Sequence, residues 1–264
     1  IFAIQDEISK AIVDALVERL NLTVAAVPKV QAAASTEAYD AYLLGIHHME
    51  QRGSGPLSIA AEQFEKALQI DPDYVPAMAR LAMTYLLLPG YDFQNNSLAE
   101  LYARALPLAE KALALTPDLP EAQAAMGLYL DQTGKELAGE PYYLRALELN
   151  PSYATVQVWL ARLNSSLGRF DKHLAMLEAA VRIDPLSELA LTNLAGAYQD
   201  RKMIGKALPI IERLRTLSPL FHASHMADML ADEGRFAEAA LGQLKVLAID
   251  RSSSGGRFGF ARLL

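Results

Sequence analysis

Two histidine clusters have the spacing that metal chemistry would use. His222, His225 and Asp228 fall at i, i+3 and i+6, so on a helix they share one face and could hold a transition metal. The competing reading is a solvated helix face. His47 and His48, with Glu50, are near neighbours on a helix, where adjacent side chains point about 100° apart and do not readily share an ion. The glycines from Arg52 to Gly55 lack the lysine and following Ser/Thr of a phosphate loop, and Gly255-Gly256 fails the same test. No motif anchors a nucleophile, so no Ser/His/Asp constellation can be nominated. The sequons at Asn21 and Asn164 read as chance matches, the second because it falls inside a helix. No catalytic, cofactor-binding or metal-binding residue is assigned, and the chain is read as not an enzyme.

Composition narrows the class. Zero cysteines exclude disulfides and thiolate metal sites. A net charge of −7 argues against nucleic-acid contact, which depends on clustered Lys and Arg neutralising phosphates. No apolar run approaches the roughly 20 residues needed to span a bilayer. Hydrophobic content of 52% with only 8% aromatics suits many small interfaces lined by Ala and Leu.

Those interfaces are periodic. Gly45, Ala82, Gly127, Ala161, Ala195, Ala227 and Ala261 lie 37, 45, 34, 34, 32 and 34 residues apart. A second column, Ala60, Ala105, Gly139, His173, Ala207 and Ala239, keeps nearly the same steps, as does a third from Ala67 through Ala112, Ala146 and Ala180 to Leu214 and Val246. Punctuation recurs at Asp71-Pro72, Thr116-Pro117, Asn150-Pro151, Asp184-Pro185 and Ser218-Pro219, where proline ends a helix. A period of 34 residues marks a helix-turn-helix repeat. Within residues 154 to 187, Leu160, Leu163 and Leu167 form one apolar face, Gly168 stops the helix, and Phe170, Leu174, Leu177 and Val181 form the next. Ala161 is expected at the crossing within the pair and Ala180 against the next pair, where bulk would cost about 1–3 kcal/mol, whereas Glu178 reads as a position on the solvated face. Pairs should break near Gly134, Gly168, Lys202 and Gly234.

The pattern resembles the tetratricopeptide repeat family. Leu81-Ala82…Tyr85, Met126-Gly127…Leu130 and Leu194-Ala195…Tyr198 fit its first-helix signature. Ala60…Phe64…Ala67…Pro72 and Ala207…Ile211…Leu214…Pro219 fit the second. Asn164 and His173 depart from it, standing where an aromatic and an alanine are usual. The resemblance implies an all-α solenoid over residues 36–264: six helix pairs plus a half repeat at 252–264.

It also implies a concave groove lined by first helices. Groove positions map to Glu121, Ala124, Leu128 and Asp131; to Thr155, Val158, Arg162 and Ser165; and to Leu189, Thr192, Asn193 and Gln199. Of the Lys, Asn and Arg residues that clamp carboxylates in part of the family, only Arg162 and Asn193 are matched, which argues against such a clamp. The groove reads as small and neutral, suited to a protein or peptide segment. Trp159 beside it is either a binding hot spot or packing between hairpins.

The ends and one joint break the period. Ile4, Ile8, Ile12, Leu16 and Leu20 define an amphipathic helix over 1–24, followed by a linker at 25–35. Phe2 to Ile8 resembles the closing helix of a TolB-like domain, which precedes such arrays in bacterial adenylate cyclases, winged-helix regulators and kinases. Eleven extra residues between Leu88 and Leu98 are expected to form a protruding loop with Tyr91 and Phe93 exposed at its tip. That loop is either a tolerated insertion or a contact site. The chain starts at Ile1 and ends on an unpaired half repeat, so it is expected to be a piece of a longer protein, with self-association open through that end. The reading is an interaction scaffold, the sensory or regulatory segment of a cytoplasmic bacterial signalling protein. The alternatives are in-cis regulation of an adenylate or guanylate cyclase or kinase, and a structural assembly scaffold.

Overall fold

A computed structural model describes residues 35–91 and 97–249, together with residues 7, 11 and 33. The helix expected at 1–24, the linker at 25–35 and the half repeat at 252–264 otherwise fall outside the described residues, as does Phe93. Among the described residues there are twelve helices and no strand. They are α1 (Thr36–Gln51), α2 (Ser54–Ile70), α3 (Val75–Tyr91), α4 (Leu98–Leu115), α5 (Pro120–Gln132), α6 (Glu136–Leu149), α7 (Ala154–Ser166), α8 (Phe170–Ile183), α9 (Glu188–Asp200), α10 (Ile204–Leu217), α11 (Pro219–Asp232) and α12 (Phe236–Ile249).

Consecutive helices pair as six hairpins, and each second helix also packs on the first helix of the next hairpin. First helices additionally touch one another along the stack, α3 with α5 and α7 with α9 among them. They therefore line the inner wall, with second helices outside.

Backbone chemistry explains both kinds of joint. At the tight turns, Gly134, Gly168 and Gly234 adopt φ of 74°, 72° and 78°, and Lys202 adopts 55°. At each, the next N–H reaches back five residues: Lys135 to the Leu130 carbonyl at 2.8 Å, Arg169 to Asn164 at 2.7 Å, Met203 to Tyr198 at 2.8 Å and Arg235 to Leu230 at 2.9 Å. This is the Schellman closure, which favours glycine at the left-handed position. The breaks lie where the sequence places them. At the other joint, the N–H before each proline caps the helix. Asp71 donates to Ala67, Thr116 to Ala112, Asn150 to Ala146 and Asp184 to Ala180, at 2.9–3.0 Å.

The small-residue columns are the contact points. A Cβ added at Gly45 would lie 2.5 Å from Phe64, and one at Gly127 would lie 2.8 Å from the Tyr143 ring. One at Gly139 would lie 2.9 Å from the carbonyl oxygen of Gly127. His173 departs from its column by bonding instead of shrinking: its Nδ1 lies 2.9 Å from the Ala161 carbonyl oxygen. Asn164 is 2% exposed, and its amide donates to the Leu160 carbonyl at 2.8 Å.

Two features differ from expectation. Helix α3 runs on through Pro89 to Tyr91, so residues 89–91 continue the helix where a loop starting after Leu88 is expected. The apolar run Leu86–Pro89 is buried, and that burial holds the extra turn despite the proline. Glu178, expected on a solvated face, is half-buried and accepts a hydrogen bond from Tyr198 Oη at 2.8 Å. Ala175 is the exposed position on the same helix.

We predict that Ala180→Leu, at a fully buried column position, lowers stability by about 1–3 kcal/mol through overpacking. Ala175→Leu should shift the denaturant midpoint little. Equal shifts would contradict the packing described for α8.

Candidate ligand-binding groove

The twelve predicted groove positions and Trp159 separate into three groups. Ala124, Leu128, Val158, Trp159 and Gln199 are buried, at 0%, 1%, 0%, 2% and 8% exposure, and belong to the packing between hairpins. Their burial corrects the placement of Ala124, Leu128, Val158 and Gln199 on an open groove wall; for Trp159 it fits the packing alternative, although Trp159 also lines the smaller cavity described below. Trp159 stacks against Tyr143, with ring centroids 6.2 Å apart, and Gln199 is taken up by α11.

The second group is polar but committed elsewhere. Glu121 pairs with Arg80 at 3.0 Å. Asp131 lies 3.4 Å from the Tyr143 hydroxyl, and burial raises its carboxyl above the usual range, an effect the nearby Arg162 charge opposes. Arg162 is exposed and Ser165 half-buried, and neither lines the cavities described next.

Thr155, Leu189, Thr192 and Asn193 do converge, on a cavity of about 440 Å³. Its other walls are Leu186, Ser187, Glu188 and Phe221 and, from the opposite end of the chain, Glu50, Arg52 and Tyr91. Tyr91 is thus half-buried at the end of α3 and packs on the core; it is not at a loop tip. A neighbouring cavity of about 320 Å³ shares Glu50, Arg52, Thr155 and Asp184, and adds Arg80, Tyr153 and Trp159. The coil of the stack brings the turn after α1 opposite α7 and α9.

Charge in this region comes from residues that sequence reasoning passed over. Arg80 bonds Glu121, and its guanidinium lies 5.7 Å from the centroid of the Tyr153 ring. Arg52, at a left-handed φ of 57° after α1, makes no ion pair within 4.0 Å among the described residues. Burial pushes its guanidinium below its usual value, an effect that Tyr91, Tyr153 and Glu50 oppose and the positive charge of Arg80 adds to. The Tyr153 hydroxyl, the Thr192 hydroxyl and Arg80 Nε are buried without a hydrogen-bond partner among the described residues. The available signal for Arg52 was the turn Arg52-Gly53-Ser54-Gly55, but periodicity carries no information about which distant helix it would face.

The histidine spacings do not make a metal site. His225 turns into the α9–α11 interface, where its Nδ1 lies 2.6 Å from Gln199 Oε1 while Gln199 Nε2 donates to the His225 carbonyl at 3.0 Å. His222 instead points toward Glu212, at 3.7 Å. Among the described residues no group of three His, Cys, Asp or Glu converges on one point, and no helix is long and apolar enough to cross a membrane.

Comparison with known proteins gives the repeats their type. Residues 120–153 and 154–185 match the tetratricopeptide repeat model. The human antiviral innate immune response effector IFIT1 is 26% identical over 209 residues, covering 70% of this chain and 43% of that protein. A solved structure of the human IFIT1 dimer with PPP-AAAA superimposes with a TM-score of 0.58 at 25% identity, covering 74% of this chain and 46% of that one. The Cut9–Hcn1 hetero-tetramer of the APC/C superimposes with a TM-score of 0.61 at 15% identity over 86% of this chain and 46% of that one, a likeness of fold alone. This chain therefore spans less than half the length of the human relative. Its fold is a tetratricopeptide-type helical solenoid.

Two outcomes follow from the burial described here. Trp159→Ala should cost about 3–5 kcal/mol of stability, read from denaturant unfolding, because it empties a core site. His225 is lowered to about 4, chiefly by burial, so the unfolded chain binds a proton there that the folded chain does not. Stability contributed by the neutral ring is complete above about pH 6.5 and is lost as pH falls toward 4, by up to about 3 kcal/mol. The thermal midpoint of His225→Gln should fall less steeply across that window than that of the parent chain. Parallel slopes would mean that the folded ring is already protonated.

Proposed function

We propose that this solenoid is a protein-interaction scaffold that takes a peptide segment in the cavity between the first hairpin and helices α7 and α9. The observation that carries this reading is the convergence of Thr155, Ser187, Thr192 and Asn193 with Leu186, Leu189 and Phe221 on one concavity. Side-chain hydroxyl and amide groups suit a peptide backbone, and the apolar walls suit its side chains. The concavity forms on the inner wall, where stacked repeats present extended binding surfaces. No nucleophile or metal is needed for that role. In this reading the chain is the sensory or regulatory segment of a larger cytoplasmic signalling protein of bacterial type. It would follow a TolB-like domain and act on a cyclase, kinase or DNA-binding domain elsewhere in the protein.

A second reading has one specific observation behind it. The human relative is seen with PPP-AAAA, and two arginines, Arg52 and Arg80, line the smaller neighbouring cavity of this chain. An overall charge of −7, together with Glu50, Asp184 and Glu188 at the larger cavity, opposes an extended polyanion.

Selection of random dodecapeptides on the chain, followed by anisotropy titration of the recovered peptides, tests the choice. Leu186 is 70% exposed, so Leu186→Glu should leave the fold intact yet weaken recovered peptides by about tenfold or more. Thr155→Arg should act in the same way by filling the cavity. Arg162→Glu, exposed but outside it, should bind as the parent does. Peptides insensitive to both cavity variants would place the interaction elsewhere. A triphosphorylated tetra-adenylate that binds where no peptide does would favour the second reading.

A further inference from the structure

One joint of the stack is fastened differently from the others. Lys66, Lys111, Arg145, Arg213 and Lys245 each precede a residue of the third small-residue column, but Ala179 precedes Ala180. In the second, third and fifth hairpins this cation reaches from the second helix to the proline turn that opens the hairpin. Lys111 Nζ lies 3.1 Å from Asp73 Oδ1 and 3.3 Å from the Pro72 carbonyl oxygen. Arg145 donates to Asp118 at 2.7 Å, and Arg213 donates to the Pro185 carbonyl. The sixth hairpin has no turn to tie, because α10 and α11 share Ser218 as their cap. The fourth hairpin has the turn but not the tie, and Ser152 stands where Asp73 and Asp118 stand. Among the described residues, the side-chain hydrogen bonds to residues 150–152 come from Ser152 and Gln157, within the same stretch of chain.

The apolar core divides at the same joint. Trp159, Leu160 and Leu163 of α7 pack with the first three hairpins, and Val158 and Ala161 with the later ones. Tyr143 and Trp159 fill the middle of the joint, and Arg169 with Glu140 pins its glycine-turn end. At the proline-turn end the fastening lies on the inner side. There the Arg80 guanidinium of α3 stands 5.7 Å from the centroid of the Tyr153 ring, within cation–π range. Arg80 and Tyr153 both line the smaller cavity.

We propose that the joint between α6 and α7 is the hinge of this solenoid and the Arg80–Tyr153 contact its latch, so that a segment filling the cavities sets the angle between hairpins one to three and hairpins four to six. A hinge needs one end held and the other able to travel. The Arg169–Glu140 pair holds one end, and Ala179 leaves the other without its outer tie. Both cavities lie across that opening. Met49, Arg52 and Arg80 come from the first block and Trp159, Ile183 and Asp184 from the second. The larger cavity likewise joins Tyr91 of the first block to Leu186 and Phe221 of the second. A ligand touching both walls makes different contacts at different hinge angles, which is the condition for shifting the equilibrium between them. Hinge and latch are properties of the chain alone; only their coupling to a bound segment rests on the scaffold reading above.

Distances between paired spin labels on the full chain, read by pulsed electron double resonance, test this. The chain has no cysteine, so labels go only where they are introduced. Gln69→Cys with Leu144→Cys spans two joints inside the first block, and Leu144→Cys with Thr216→Cys spans two joints including the hinge; all three positions are exposed. Without ligand, the pair across the hinge should give the broader distribution. Ala179→Arg supplies the tie that Arg213 makes one hairpin on, and should narrow that distribution while leaving the first pair unchanged. Tyr153→Leu removes the latch and should shift the mean across the hinge, whereas Tyr153→Phe keeps the ring and should match the parent. Equal widths for the two pairs in the parent would overturn the hinge, as would a distribution across it that Ala179→Arg leaves unaltered. That comparison decides the matter even where Tyr153→Leu does not fold. An unchanged mean in folded Tyr153→Leu would overturn the latch. Dodecapeptides selected on the chain should shift and narrow only the distances across the hinge. If they bind in a Leu186-dependent way without moving those distances, this inference fails and the scaffold reading stands. If no peptide binds, the scaffold reading fails, and the ligand-free comparison alone supports or overturns the hinge.

Discussion

A methyl group has no room at Gly45 or Gly127. Everything else in the stack depends on that closeness between the two helices of a hairpin. Built there, a Cβ would lie inside contact distance of Phe64 or Tyr143, so one helix offers bare backbone and the other inserts an aromatic ring against it. The pair can then turn a common apolar face to the next hairpin. Alanine serves the same end in the later repeats, at Ala161 and Ala195, both fully buried. The stacking distance is set locally, hairpin by hairpin, which gives a chain of small interfaces in place of one large core. The packing reflects this, because the buried residues form two clusters that meet across α7. Trp159, Leu160 and Leu163 belong to the first, and Val158 and Ala161 to the second.

Local joints of this kind have a distant consequence. Each hairpin is rotated slightly from the last, and the accumulated rotation curves the inner wall until the turn after α1 faces α7 and α9. The cavity is built from residues some 140 positions apart in sequence, Arg52 and Thr192 among them. Overpacking at one column position would alter a single joint, yet the gap across the coil would change by that error multiplied along the stack. The columns thus constrain the site as well as the fold.

How much could be read from the sequence follows from the same distinction. Local features were legible: the left-handed breaks at Gly134, Gly168, Lys202 and Gly234 and the caps before the prolines depend on residues a few positions apart. Helix α3 was misjudged at its end because Pro89 is a breaker in isolation, whereas in the fold it is buried with Leu87 and Leu88. The groove positions were harder still. Helical spacing places Leu128, Val158 and Trp159 on a first helix, but the coil decides whether that strip faces the concavity or the neighbouring hairpin, and here it faces the neighbour. The turn at Arg52 was visible and Tyr153 carried no signal, but nothing in a local window tells which side chains a superhelix will bring together.

The charges around the cavity illustrate why summed composition is a poor guide to a site. A net charge of −7 describes a surface whose acids are widely distributed and screened beyond about one Debye length, roughly 8 Å at physiological salt. Within the cavity the relevant quantities are the few groups that lie closer than that and are shielded from water. Arg80 is neutralised by Glu121 across two hairpins, and so ties α3 to α5. Arg52 makes no ion pair within 4.0 Å among the described residues, yet Glu50 and Asp184 line the same cavities and the Glu50 charge partly offsets its own. The acidic chain therefore brings arginines and carboxylates to the same two cavities, a mixture that the net charge does not report.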